Sequence, residues 1–288
     1  MNKSNIDWCS RTWNPITGCL HTCEYCYAKG IVKRFGRETV DPLGFEFDLD
    51  GGHEHIRILE CKKGFELTKS CKNPFPFGFT PTFHRYRLDE PATVKSPQTV
   101  FVGSMADIFG DWVPNEWIMD IFEACEAAPW HRYIFLTKNP KRYEEINGYS
   151  HFLNNPNVWV GFTQTGIDLL SDGEPYEFQA ANIFASIEPL QQPGWKTLNC
   201  LGWCNEDCDR PSWVIIGAET GRRNGKIIPK REWIEEIVKA CRDANIPVFL
   251  KNNLAEIWGE PLIQQLPWAG ITNDDTMRWN TCMAVTKP

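Results

Sequence analysis

Thr99-Val100-Phe101-Val102-Gly103 and Arg132-Tyr133-Ile134-Phe135-Leu136-Thr137 are two short apolar runs rich in β-branched and aromatic residues, with residues 114–128 between them. The first run is bounded by Pro97 and Gly103, and both predict buried strands. Between them, Trp117 and Ile118, Ile121 and Phe122, and Cys125 recur at helical spacing behind Pro114, which predicts a helix with a proline in its first turn. Strand, helix and strand in this order form one parallel crossover unit, since parallel strands need a connection of about helix length. The fold class that follows is α/β.

The same pattern extends in both directions. Further strands are predicted at Asn157–Thr163, Asn182–Ile187, Trp213–Gly217 and Pro247–Lys251, with one more before Cys19. Residues Lys230–Ala244 carry Trp233, Ile234, Ile237, Val238 and Cys241 on one face, with acidic residues early, and predict a second helix. Six or seven strands separated by helix-sized segments suggest a partial or complete parallel α/β barrel, and one domain over 1–288 is the simplest division. Two segments interrupt the pattern. Residues 36–83 hold Gly51-Gly52 and Phe75-Pro76-Phe77-Gly78-Phe79 with little periodicity and are expected to form an insertion or lid. Residues 189–212 are expected to form a cysteine-containing loop. No repeat of fixed period and no low-complexity tract is present.

Composition narrows the class. The 288 residues are 42% hydrophobic and 13% aromatic, enough for a sizeable core, and contain no apolar run long enough to span a membrane and no signal-peptide pattern. A soluble, cytoplasmic protein without membrane partners is expected. Twelve cysteines in such a chain argue for reduced thiols rather than a disulfide framework. A net charge of -7 argues against a broadly basic nucleic-acid surface. A local basic groove is still compatible, and Lys33, Arg34, Arg37, Arg222 and Arg223 could supply one, although a solvated helix face explains the first three equally well.

The chemistry concentrates in Cys19-Leu20-His21-Thr22-Cys23-Glu24-Tyr25-Cys26. A structural zinc site uses four closed ligands, so three thiols on one loop would need a distant Cys or His to complete it. An iron-sulfur cluster anchored by three thiolates instead leaves one iron open to a ligand. His21 could be a surface residue, a cap of the following helix or a cluster neighbour. Polar groups also gather where the predicted strands end, at Ser104 and Asp107, Thr137 and Lys138, Thr163 and Gln164, Ser186 and Glu188, Glu219, and Lys251. In parallel α/β barrels these ends carry the reactive groups.

With Tyr25 just before its last cysteine, the loop resembles that of the radical S-adenosylmethionine (radical SAM) superfamily. The resemblance implies a 4Fe-4S cluster on Cys19, Cys23 and Cys26 whose open iron chelates the amino and carboxylate groups of S-adenosylmethionine. One electron then cleaves the sulfonium to a 5'-deoxyadenosyl radical, which abstracts hydrogen from a substrate. It also implies a partial six-stranded barrel and an electron donor of flavodoxin or ferredoxin type. Thr12-Trp13-Asn14-Pro15-Ile16-Thr17-Gly18-Cys19, Cys26-Tyr27-Ala28, Met105-Ala106-Asp107, Leu136-Thr137-Lys138, Ser186-Ile187-Glu188-Pro189-Leu190 and Gly217-Ala218-Glu219-Thr220-Gly221 together look like a narrower, phage-associated radical SAM family of unassigned function, distantly similar to spore photoproduct lyase. The likeness runs through most of the chain. It departs at 47–73, near 200–208 and after Lys251, where Asn252-Asn253-Leu254 replaces an aromatic segment.

On this resemblance Asp107 is the candidate for the SAM amino group and Lys138 for its carboxylate. Glu188 or Glu219 would hold ribose hydroxyls or face the substrate, Tyr25 would shape the adenine side, and Ser104 and Gln164 complete the cofactor-binding set. A nucleic acid or nucleotide is the implied substrate, although fold and cofactor do not carry reaction type with them. Two rival functions remain open: a zinc-bound, non-catalytic nucleic-acid or protein-binding module, and a radical SAM enzyme acting on a peptide or small metabolite. Cys61, Cys71, Cys200, Cys204 and Cys208 lie in the two interruptions and could supply a second metal site, zinc or iron-sulfur, or stand as separate surface thiols. Cys125 and Cys241, on apolar helix faces, are expected in the core.

Overall fold

The computed structural model describes residues 1–35, 74–165, 178–193, 211–220 and 225–269, with the backbone of 57–59. Most of the 36–83 and 189–212 interruptions, and with them Cys61, Cys71, Cys200, Cys204 and Cys208, lie outside the described residues, as do Arg37, Arg222 and Arg223. The chain falls into two compact units. One comprises Met1–Asn5 and Cys9–Phe135; the other comprises Ile6–Trp8 and the chain from Leu136 onward.

In the first unit, β1 (Asn2–Lys3) pairs antiparallel with β2 (Arg11–Trp13). A small second sheet follows. Its central strand β5 (Thr82–His84) pairs antiparallel with β3 (Ile16–Thr17) and parallel with β4 (Arg57–Leu59), so two described parts of the 36–83 segment contribute strands. Between β3 and β4 in the chain, helix α1 (Tyr27–Phe35) buries Ala28 and Val32. A short helix α2 (Glu90–Thr93) leads into β6 (Thr99–Val102), then α3 (Asn115–Glu126) and β7 (Arg132–Thr137). Strand β6 lies parallel between β2 and β7, with Trp13 opposite Val102 and Val102 opposite Phe135. The strand-helix-strand expectation at 99–137 is met, with Pro114 standing at the extended N-cap of α3 rather than inside it. Trp117, Ile118, Ile121, Phe122 and Cys125 are all buried, each apolar side chain contributing roughly 1.5–3 kcal/mol of transfer free energy.

The second unit holds α4 (Lys141–Asn147) and four parallel strands: β8 (Val158–Thr163), β9 (Ile183–Ile187), β10 (Trp213–Ile216) and β11 (Val248–Leu250). They are hydrogen-bonded in that order, and every residue in them is buried, as continuous apolar runs covered on both faces require. Thr163 lies opposite Ser186, Ile187 opposite Ile216 and Ile216 opposite Leu250, so the carboxyl ends of the four strands finish at one edge. Helix α5 (Arg231–Asp243) connects β10 to β11, burying Ile234, Ile237, Val238 and Cys241. It stops where Asn245 turns to a φ of 57° and the Ile246 N–H returns to the Cys241 carbonyl at 2.8 Å, the left-handed stop that Asn tolerates. A short α6 (Ala255–Trp258) follows β11.

The core of this unit is built on Trp213, fully buried, with Trp8, Trp159, Phe184, Phe249 and Trp268 around it at ring-centroid separations of 5.0–6.1 Å, most of them edge-on. The six strands expected from Thr99 onward are found, with ends within two residues of expectation. Among the described residues, no helix is long and apolar enough to cross a membrane.

Candidate cofactor site

In the first unit the three cysteines sit on the loop between β3 and α1, and the backbone fixes how that loop leaves the sheet. Gly18 adopts a φ of +85°, and a β-carbon there would stand 2.4 Å from the Thr80 carbonyl oxygen and 2.6 Å from that of Phe79. Only glycine can pass this point without strain. From here the loop is held on both sides: the Gly18 N–H donates to the Met105 carbonyl at 3.0 Å, and the Cys19 N–H donates to the Phe79 carbonyl at 3.2 Å.

Cys19, Cys23 and Cys26 are each partly exposed and none is in a disulfide. Burial above all, then the negative charges of Asp107, Cys23 and Cys26, push the Cys19 thiol up to about 12, while a hydrogen bond from the His21 backbone draws it down. Cys23 and Cys26 therefore both lie within electrostatic reach of Cys19. Cys26 packs beside Phe79 against a small apolar cluster of Ala28, Val32, Phe75 and Met105, and its sulfur accepts a 3.4 Å hydrogen bond from the Lys29 N–H. As the side chains stand, no three His, Cys, Asp or Glu residues among the described ones converge closely enough to enclose a metal ion. The donor chemistry nevertheless fits an iron-sulfur cluster: three reduced, partly exposed thiols on one loop. Cys125 and Cys241 contrast with them, being fully buried in helices with their thiols pushed up by burial, as inert core cysteines are.

The residues after β6 support the loop. Asn14 places its side-chain oxygen to accept from the Ser104 hydroxyl at 3.1 Å and the Met105 N–H at 2.9 Å, while its own carbonyl accepts from Arg87 at 2.8 Å. The Tyr27 hydroxyl donates to the Ser104 carbonyl. Asp107 is 5% exposed; one carboxylate oxygen accepts from the Phe109 N–H at 3.1 Å and the other lies 2.9 Å from Nε2 of His21. His21 meets Trp112 edge-on at 4.8 Å. A residue of the cysteine loop is thus anchored on the candidate cofactor-binding carboxylate. Tyr25 is half-buried beside Cys26 in the sequence.

The remaining candidates belong to the second unit, at the carboxyl ends of its strands. Lys138 follows β7 and is half-buried, and the preceding Thr137 hydroxyl accepts from the Asn139 N–H at 2.9 Å. Gln164, after β8, is 2% exposed, and its Oε1 has no hydrogen-bond partner among the described residues. Glu188, after β9, pairs with Lys251, after β11. The pair crosses β10 at Gly217, whose absent β-carbon would stand 3.0 Å from Lys251 Cδ and 3.2 Å from Glu188 Cγ. Glu219 is 3% exposed and accepts from the Gln191 amide at 2.7 Å. Gln191 also ties the strand ends together through its N–H, which donates to Thr165 at 3.2 Å, as Leu190 does to Gly217 at 2.8 Å.

Two residues gain importance that sequence reading did not assign to the site. Asn14, in the Thr12–Cys19 motif, acts through hydrogen bonds to positions some ninety residues away, and its one local signal is that it precedes a proline and must stay extended. Lys251 was visible as a polar strand end, but its pairing with Glu188 depends on three adjacent strands.

Together these features define an α/β protein of parallel strands with a three-cysteine loop leading into its first helix. The chain belongs to the family described as protein of unknown function DUF5131, whose model matches residues 3–265. No curated protein matches the sequence. Among solved structures the chain is similar to spore photoproduct lyase complexed with dinucleoside spore photoproduct, at 12% identity over 92% of this chain and 71% of that one, with a TM-score of 0.39. A cysteine-to-serine mutant of that lyase matches at 12% identity over 96% and 75%, TM-score 0.42. A double mutant with bound AdoMet and dinucleoside spore photoproduct matches at 10% over 85% and 73%, TM-score 0.41. Likenesses this distant carry nothing about the chemistry of this chain.

Proposed function

We propose that the protein is a radical SAM enzyme that holds a 4Fe-4S cluster through Cys19, Cys23 and Cys26 and acts on a nucleic acid or nucleotide, the substrate class that the sequence resemblance implies. The observation that carries the reading is the loop itself: three reduced thiols in C-x3-C-x2-C spacing on a loop whose backbone is pinned at Gly18. When bound, the cluster would supply the electron that reductively cleaves S-adenosylmethionine. The chain's own residues prepare that chemistry. Asn14, Ser104 and Met105 fix the turn on which Gly18 rests, and Asp107 restrains the loop through His21. At the strand ends of the second unit, Lys138, Gln164, Glu188 and Glu219 offer a cation, an amide and carboxylates of the kind that hold polar ligand groups.

Anaerobic purification with quantification of iron, sulfide and zinc, followed by dithionite and S-adenosylmethionine, tests this. Bound iron and sulfide with 5'-deoxyadenosine formation, both lost in Cys23→Ala, are expected. Stoichiometric zinc with no sulfide and no cleavage would overturn the enzyme reading in favour of a zinc-bound binding module.

A further inference from the structure

His21, midway in sequence between Cys19 and Cys23, meets two residues of one short segment after β6. Asp107 lies 2.9 Å from its Nε2, and the Trp112 ring meets it edge-on at 4.8 Å. The segment is folded on itself: the Gly110 N–H donates to the Asp107 carbonyl at 3.3 Å, and the Val113 N–H to the Gly110 carbonyl at 2.9 Å. A β-carbon at Gly110 would stand 2.4 Å from Cζ2 of Trp112, so the indole occupies the space that a side chain there would need. Trp112 then carries an anomaly. Its Nε1 is buried and has no hydrogen-bond partner among the described residues. Trp13 and Trp130 of the same unit donate to the carbonyls of Arg87 and Val94 at 3.0 and 2.8 Å. Arg11 and Arg85 each leave a buried Nε unpaired, but their guanidinium groups donate elsewhere, to the Met1 carbonyl and to Asp120. An indole has a single donor, and burying it unpaired forfeits its hydrogen bond to water with nothing in return. Such a group in a native fold calls for an acceptor that the folded chain does not supply.

We propose that the Trp112 N–H donates to a sulfur of the iron-sulfur cluster held on the cysteine loop. The proposal rests on the cluster proposed above. Sulfur is the acceptor because the ring packs on the one residue of the loop that is flanked at equal spacing by two of its three thiols. A hydrogen bond to a cluster sulfur stabilises the more negative, reduced state over the oxidised one and so raises the reduction potential. Trp112 thereby makes the cluster easier to reduce. Gly110 gives the ring its room, and the same segment supplies Asp107 to hold the loop through His21.

Trp112→Phe keeps a ring against His21 and removes the donor. In the full chain, reconstituted anaerobically, it is expected to match the wild type in iron and sulfide content and in thermal unfolding. Its cluster should be about tenfold harder to reduce at equilibrium, a midpoint about 59 mV more negative for one electron. Dithionite titration in the presence of redox mediators, followed by the electron paramagnetic resonance of the reduced cluster, reads this. A direct readout comes from wild-type protein isotopically labelled at its indole nitrogens. Its reduced cluster should show a magnetic coupling to one such nitrogen, lost in Trp112→Phe. A loaded Trp112→Phe protein with the wild-type potential would overturn the proposal. So would absence of the coupling in the wild type, which decides the question even where the variant holds no cluster. A coupling that appears only after S-adenosylmethionine is added would assign the N–H to that ligand and overturn the sulfur assignment. Failure of the function proposal looks different: the wild-type protein would then hold no iron and sulfide, and both proposals would fall.

Discussion

Gly18 illustrates how a single residue positions the chemistry. Its φ of +85°, and the two carbonyl oxygens within 2.6 Å of where a β-carbon would stand, leave no room for a side chain. Gly18→Ala is therefore expected to cost at least about 1–3 kcal/mol in backbone strain and to move the cysteine loop. Thermal unfolding and iron content after anaerobic reconstitution check this together, and a variant equal to wild type in both would show that the loop does not depend on this turn. The His21 and Asp107 pair is open to a sharper test. Its 2.9 Å hydrogen bond involves a buried carboxylate, so single substitutions to alanine should destabilise and should be coupled by about 0.5–3 kcal/mol in a double-mutant cycle. Additive losses would mean that Asp107 is held by its other contacts and does not restrain the loop. At this scale the sequence was partly legible. The cysteine spacing put three free thiols on one loop, because residue type and spacing are local properties. The support of Asn14 for Ser104 and Met105 was not legible, because it bridges some ninety residues.

The elements divide in the same way. Strands β6 to β11 were readable because buried parallel strands are continuous apolar runs punctuated by glycine and proline, and α3 and α5 because their apolar residues recur at 3.6. The β3–β5–β4 sheet was not, since strands of two or three residues have no measurable period. That small sheet carries a pH dependence. His84 in β5 is fully buried, its Nε2 lies 2.7 Å from the Thr17 hydroxyl of β3, and burial, with the nearby Arg87 charge, holds its imidazole well below its usual value of 6.5. His131 is lowered as well, chiefly by burial; its Nδ1 accepts from the Gln98 N–H at 3.1 Å and so is unprotonated. Both histidines take up a proton less readily in the folded chain, whereas the unfolded chain takes up protons near pH 6.5. Stability is thus complete above that pH and is lost as pH falls through it. His84→Gln, which keeps a polar group for Thr17, should lose less stability than wild type between pH 7 and pH 5. Equal losses in the two proteins would exclude His84 as a source of the acid sensitivity.

At the scale of the whole molecule, the first unit gives up three residues near its start. The chain leaves it after Asn5, contributes Ile6–Trp8 to the second unit and returns at Cys9. Composition and periodicity could not reveal this, because the segment is too short to carry a pattern and its partners lie more than two hundred residues away. The Asp7 carboxylate accepts from the backbone and side-chain amides of Asn252 at 3.2 and 2.8 Å, and Trp8, 5% exposed, meets the Trp213 ring edge-on at 6.0 Å. Those contacts tie Ile6–Trp8 to the unit that holds β8 to β11, with Trp8 in its core, so the order of this segment and that of the strand ends carrying Glu188, Glu219 and Lys251 are linked. Removing the indole should open a cavity against Trp213, and Trp8→Ala is expected to cost about 3–5 kcal/mol, the range for truncating a buried aromatic. The loss should be located as well as measured. Native-state hydrogen exchange should show the amides of β9, β10 and β11 losing protection first, while those of β2 and β6 keep theirs until global unfolding. Loss of protection in β2 and β6 ahead of the second unit would instead place Trp8 among the supports of the first.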